Sequence, residues 1–125
     1  MPTPAEVFEQ FRQAGERNDV EGFLDLLADD VLMEWMYPIP GFPGQMRGRE
    51  QLRGFYGRQS ARVGSHRSTY RDVVLHESTD PEVVIAEYVR DMTAVDTGET
   101  VTKPCVAVLR VRDSKILNFR DYVQF

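Results

Sequence analysis

The chain has 125 residues, a formal charge of −5 and 42% apolar residues, including seven Phe, five Tyr and one Trp. That length suits one domain, expected to span residues 1–125, with enough aromatic bulk for a core, so disordered and membrane-spanning classes are disfavoured. The acidic balance also speaks against a nucleic-acid partner, because phosphate binders concentrate Lys and Arg.

The first element expected is a helix. Thr3 is placed to cap it, Pro4 fits its first turn, and Glu6 lies near its positive end. Val7, Phe8, Phe11 and Ala14 form its apolar stripe, and it ends near Gly15 to Arg17. Asn18 or Asp19 can cap a second helix, in which Val20, Phe23, Leu24 and Leu27 recur at helical spacing until Asp29-Asp30 ends it. The next run, from about Val31 to Tyr37, is branched, apolar and aromatic and reads as a strand closed by Pro38 and Pro40. Three prolines and two glycines between Pro38 and Gly44 prevent regular structure. Because that loop also carries Ile39 and Phe42, with Met46 just beyond, it reads either as a lid over a site or as a core-covering Ω-loop.

Gly48-Arg49-Glu50 opens a third helix with Leu52, Phe55, Tyr56 and Val63 on its buried side and Gly64 as its stop. The arginines 47, 49, 53, 58, 62, 67 and 71 make this segment basic, suiting an anionic ligand or simply a solvated helix face. From His66 the period becomes two. Tyr70, Val74 and His76 are expected on one side of the strand and Val73 and Leu75 on the other. Turns at Ser78–Pro81, Asp96–Glu99 and Asp113-Ser114 then separate strands over Glu82 to about Val95, Thr100–Arg112 and Lys115–Phe125. Long strands joined by short turns form an antiparallel meander, so the fold class is α+β, with helices packed on one side of a curved sheet.

Cys105 is the only cysteine, so an internal disulfide is impossible and a reducing compartment, the cytoplasm, is expected. The start, Met1-Pro2-Thr3-Pro4-Ala5-Glu6, shows neither a basic patch nor an apolar run, so no signal peptide or membrane segment is expected. Metal-binding spacings, phosphate loops and nucleophile elbows are absent from the sequence; no metal and no cofactor are expected.

Buried polarity is the remaining signal, because it is costly. In the last strand Leu117, Phe119, Asp121, Val123 and Phe125 share a face by alternation, which sets one carboxylate in an apolar row. Desolvation there raises a carboxyl towards the range useful for acid or base work, unless an arginine or a backbone amide compensates. Asp121 is therefore the candidate catalytic residue, with a sheet-end ion pair as the structural alternative. On the strand before, Val83, Ile85, Glu87, Val89 and Asp91 form one face and Val84, Ala86, Tyr88, Arg90 and Met92 the other. Alternation leaves open which is inward. Candidate ligand-binding residues are thus Trp35, Tyr37, Tyr56, His66, Glu87, Tyr88 and Arg90, with core packing the alternative for Trp35 and Tyr56 and exposure for His66.

The runs Asn18-Asp19-Val20-Glu21-Gly22-Phe23 through Leu27-Ala28-Asp29-Asp30-Val31, Met46-Arg47-Gly48-Arg49-Glu50 and Ser114-Lys115-Ile116-Leu117-Asn118-Phe119-Arg120-Asp121-Tyr122 resemble the SnoaL-like branch of the nuclear transport factor 2-like superfamily. The resemblance implies a cone: three N-terminal helices packed in a strongly curved, mainly antiparallel sheet around an apolar pocket, with a homodimer through the outer sheet face. It also implies a small apolar or aromatic ligand and cofactor-independent chemistry of the cyclase, isomerase or dehydratase kind. A binding module without chemistry and a dimerisation domain are the alternatives within the same superfamily. Compared with ketosteroid isomerases, the tyrosine position falls on Phe11, the base position around Trp35 to Tyr37 and the second acid near Ala107, so that mechanism is not expected. Compared with limonene epoxide hydrolases, Asp121 matches one aspartate, while Tyr88 and Arg90 fall where the arginine and second aspartate belong and break the triad. Asp121 also resembles the carboxylate of polyketide cyclases and of the phenazine-biosynthesis members, and the Pro38 to Gly44 loop resembles the latter group.

Overall fold

The computed structural model describes residues 1–63 and 66–125, and of residues 59–63 the backbone alone. The helix stop expected at Gly64 and the side chains of Arg62 and Val63 lie outside the described residues. In chain order the elements are α1 (Pro4–Glu16), α2 (Val20–Asp25), β1 (Leu27–Trp35), β2 (Gln45–Arg47), α3 (Arg49–Val63), β3 (His66–Glu77), β4 (Val83–Ala94), β5 (Thr100–Arg112) and β6 (Lys115–Tyr122).

Local chemistry explains the helix starts. Thr3 Oγ1 accepts from Glu6 N–H while Glu6 Oε1 accepts from Thr3 N–H, a reciprocal capping box that satisfies two amides. Of the two residues able to cap α2, Asp19 does so, its Oδ1 accepting from Gly22 N–H at 2.9 Å. A Cβ on Gly22 would lie 2.3 Å from Asp19 Oδ2, so the cap closes over a glycine. Asn18 supplies the turn between the helices at φ 54°.

The helix expected to reach Asp29-Asp30 stops at Asp25 instead, and β1 begins at Leu27 and ends at Trp35. Leu27 is buried but pairs with Ile116 of β6, so non-local strand pairing captures a residue whose spacing suited the helix. Gln45–Arg47 adds the short strand β2 against β1, within a stretch whose composition reads as a connection.

Among the described residues the strands form one sheet in the order β2-β1-β6-β5-β4-β3. β1 runs parallel to β6 and every other pairing is antiparallel. α1 packs on β3, β4 and β5, while α2 and α3 close over β1. This is the cone-shaped α+β arrangement, with Phe8, Leu24, Leu52, Leu109, Ile116 and Phe119 fully or almost fully buried between helices and sheet.

Two irregularities decide which side chains enter the cone. Asp72 takes φ 55° and the β3–β4 register shifts between Arg71 and Val74. One extra residue reverses the parity of the rest of the strand. Tyr70 therefore shares the inner face with Val73 and Leu75, which pack on the core, while Val74 and His76 are exposed; this corrects the grouping expected from strict alternation. A second shift, with Arg110 opposite Asn118 and Val111 opposite Ile116, places Ile116 inward and removes Leu117 from the row of Phe119, Asp121 and Val123. Phe125, expected at the end of that row, lies beyond β6 and is exposed. Asp113 and Ser114, both at positive φ, make the tight turn joining β5 and β6.

Candidate interior site around Asp121

The inner face of the sheet can be read in layers from its register. Leu75, Ala86, Ala107, Asp121 and Trp35 lie side by side across β3, β4, β5, β6 and β1. The two alanines put the smallest side chains in the row beside the carboxylate. One step along, Tyr88 pairs with Cys105; one further, Tyr70 pairs with Arg90 and Arg90 with Lys103. Burial settles the face of β4: Val84, Ala86 and Tyr88 are buried while Glu87 is exposed.

Asp121 is held by its backbone, whose carbonyl accepts from Met36 N–H at 2.9 Å. Its side chain is not held. Oδ1 is fully buried and has no hydrogen-bond partner among the described residues. Desolvation pushes its pKa from 3.8 up to about 6, against the opposing pull of the positive charge of Arg90. The sheet-end ion pair does not form, since Arg90 and Asp121 interact through space without direct contact.

Aromatic rings make the walls. Phe11 touches Phe8, Phe23, Tyr70 and Phe119, with centroids 4.9 to 6.3 Å apart. Tyr70 lies 5.2 Å from Tyr88, and Tyr56 edge-on to Phe23 at 5.4 Å and to Phe55 at 5.3 Å. Burial raises the phenol pKa of Tyr56, Tyr70 and Tyr88, and the charge of Asp121 adds to this, so all three keep their protons near neutrality. Cys105 is likewise pushed up to about 11, first by burial and then by Asp121, and is a thiol rather than a nucleophilic thiolate. Gly15 permits the fit of Tyr70 against α1, because a Cβ there would meet its hydroxyl at 2.9 Å.

Of the candidate residues, the fold brings Tyr56, Tyr88 and Arg90 into electrostatic range of Asp121 and sets Trp35 beside it. The others go elsewhere. Glu87 points to the outer face, where His76 Nε2 lies 2.5 Å from its Oε2. Tyr37 is exposed at the rim, edge-on to Tyr122. His66 is exposed, and its carbonyl accepts from Asn18 Nδ2 at 3.0 Å. The Pro38–Gly44 loop is fastened to the core: Phe42 packs against Trp35 and Phe55 at 5.4 and 5.0 Å, and Trp35 N–H donates to Gly44 C=O. Of its basic neighbours, Arg53 pairs with Glu21 and Glu50 at the surface, while half-buried Arg49 pairs with Asp29 and keeps its Nε buried without a hydrogen-bond partner among the described residues. Ser68 and Tyr70 were not singled out as site residues by sequence reasoning. The available signal was their position on alternate residues just before Asp72.

Comparison with known proteins supports the fold. A family model described as a SnoaL-like domain matches residues 8–119. An uncharacterised PhzA/B-like protein of Pseudomonas aeruginosa is 31% identical over 109 residues, covering 86% of this chain and 74% of that protein. Among solved structures, the Δ5-3-ketosteroid isomerase of a Mycobacterium species has a TM-score of 0.80 at 25% identity, covering 97% of this chain and 93% of that one. A candidate polyketide cyclase of Xanthomonas campestris pv. campestris has a TM-score of 0.75 at 26% identity, covering 97% and 90%.

Proposed function

Because this chain belongs to the SnoaL-like family, we propose that it encloses a small, mostly apolar ligand in its cone and moves a proton with Asp121, without a cofactor. The observation that carries this reading is the buried, unpartnered Oδ1 of a carboxyl whose pKa stands at about 6. A group titrating near the working pH serves as a base in one half-reaction and an acid in the next.

The chemistry that fits is proton transfer at a carbon next to a carbonyl. Asp121 carboxylate takes the proton; the electron pair of the C–H bond moves onto the carbonyl oxygen, giving an enolate. A protonated phenol, Tyr56, Tyr70 or Tyr88, donates a hydrogen bond to that oxygen in a desolvated setting, where such donors count for most. Asp121 then returns the proton to another carbon, or the enolate carbon closes onto a second carbonyl, whose π pair moves to its oxygen, and that oxygen takes the proton from Asp121. Isomerisation and cyclisation share this first step. Phe11 and Ala107 have no polar side-chain atom with which to hold an oxyanion, so the donors at hand are the tyrosine phenols, with Ser68 and Arg90 beside them.

The test is exchange of hydrogen for deuterium at the α carbon of cyclic ketones and 1,3-diketones in D₂O, followed by mass spectrometry. Wild type is expected to accelerate exchange with a rate rising through pH 6, and Asp121→Asn to lower it by about 100-fold or more. Equal rates in the two proteins would refute the assignment; saturable binding without exchange would favour a carrier.

The homodimer is also a proposal. Supporting it is a depression of about 350 Å³ on the outer sheet face, to which Val74, Val89, Pro104, Val106 and Tyr122 contribute apolar surface. Sedimentation velocity should find a dimer that Val106→Lys shifts to monomer.

A further inference from the structure

Arg90 is a half-buried charged group of β4 without a counter-ion in contact among the described residues. Its Nε and Nη2 donate to Ser68 Oγ at 3.3 and 3.1 Å, and its guanidinium lies 5.7 Å from the centre of the Tyr70 ring. Its Nη1 has no acceptor among the described residues. The contrast with the surface is direct: Arg12, Arg53, Arg71, Arg110 and Arg112 each hold a carboxylate where water would have solvated them anyway. Ser68 is buried, and having accepted from Arg90 it retains its own O–H to give. Across the interior, Asp121 presents the complementary orphan, Oδ1. Two opposite charges are thus near enough to feel each other yet out of contact, the carboxyl with a buried oxygen that lacks a partner and the half-buried guanidinium with one nitrogen free to meet a ligand. Such an arrangement is costly unless a ligand completes it.

We propose that the ligand is a small aromatic or alicyclic carboxylic acid, its carboxylate held by Arg90 Nη1 and the Ser68 hydroxyl, its ring against Tyr70 and Tyr88, and its reacting carbon towards Asp121. This rests on the reading of Asp121 as an acid–base group for the direction of the reacting carbon, the protonated carboxyl of the complex acting first as the acid, but not for the anchoring. A guanidinium suits a carboxylate because it offers parallel N–H donors in a plane. Neutral oxygens gain less from the same donors.

The arrangement couples binding to a proton. The groups facing Asp121 are Tyr88 and Arg90 from β4, Tyr70 from β3, Cys105 from β5 and Tyr56 from α3; α1 presents Phe8 and Phe11, and β1 Trp35. Lys103, opposite Arg90, lies with its ammonium 5.4 Å from the ring centre of Phe125. Of these, Arg90 is the cation that holds the Asp121 pKa down. An anion seated on Arg90 cancels that influence and adds its own repulsion, so Asp121 takes up a proton. Affinity for the acid therefore falls as pH rises above 6, by up to about tenfold per pH unit.

The experiment is calorimetry with benzoate, cyclohexanecarboxylate and their primary amides, on wild type, Arg90→Met, Arg90→Lys, Ser68→Ala and Asp121→Asn, in buffers of different ionisation enthalpy. Wild type should bind an acid at least 30-fold more tightly than its amide and take up protons at pH 7. Arg90→Met should bind acid and amide alike, Arg90→Lys should retain part of the preference, and Asp121→Asn should bind the acid more tightly without proton uptake. The acid-to-amide comparison on wild type needs no variant to fold. Acid and amide binding equally to wild type, no acid binding at 10 mM, or an undiminished preference in Arg90→Met would each overturn the proposal. Acid preference without Asp121-dependent deuterium exchange would leave the anchor standing and remove the base. Exchange of neutral ketones with no acid preference would do the reverse.

Discussion

Replacing Asp121 with Asn should stabilise the protein at neutral pH, and the size of the effect comes from burial. The carboxyl moves from 3.8 to about 6 on folding, because desolvation outweighs the attraction of Arg90. At about 1.4 kcal/mol for each tenfold change in proton affinity, holding it ionised in the fold costs about 3 kcal/mol. The sign is that of a raised carboxyl: the native state binds the extra proton, so there is no penalty below pH 4, the penalty grows between pH 4 and 6, and it is complete above 6. An amide is isosteric and neutral, and leaves the site no less hydrogen-bonded than the protonated acid does. Urea denaturation of wild type and Asp121→Asn at constant ionic strength from pH 4 to 8 should therefore give matching stabilities at the acid end. The gap should then open in favour of the variant, reaching up to about 3 kcal/mol, or roughly 10 °C in midpoint temperature for a chain of this size. A gap that did not change with pH, or a variant less stable at pH 7, would show that Asp121 is held by interactions outweighing its desolvation.

Arg90→Met removes the cation that lowers the Asp121 pKa, so carbon-detected NMR titration of that carboxyl should find its midpoint above that of wild type; an unchanged midpoint would mean that the two charges do not communicate. Phe119→Ala empties the inner row under Phe11 and should cost about 3–5 kcal/mol in urea denaturation. Gly22→Ala collides with the cap at Asp19 and should cost about 1 kcal/mol, whereas in an Asp19→Ala background the same change should be neutral or stabilising, as measured by a double-mutant cycle. Cys105, 5% exposed with its thiol pushed up to about 11, should react with a disulfide reagent at pH 7 at least 100-fold more slowly in the native protein than in urea.

Much of the fold was legible because it is written locally. Thr3 with Glu6 and Asp19 before Gly22 mark helix starts through side chains that reach only three residues, and Asp113-Ser114 marks a turn in the same way. The alternation around Phe119, Asp121 and Val123 put the carboxyl in an apolar row, and the resemblance to the SnoaL-like family named the cone. What the sequence by itself determined is therefore the order of the elements other than β2, the fold class and the one carboxyl with an apolar row around it. Only the tertiary structure decided that β1 starts at Leu27 beside β6, that Glu87 faces out while Tyr88 and Arg90 face in, and that a bulge at Asp72 turns Tyr70 inward. The reason is that a period of two carries no label for the inner face, and one extra residue reverses it. Which donors and charges share an interior is likewise set by pairings between strands distant in sequence. Ser68 and Arg90 are separated by 22 residues, and nothing near either one announces the other.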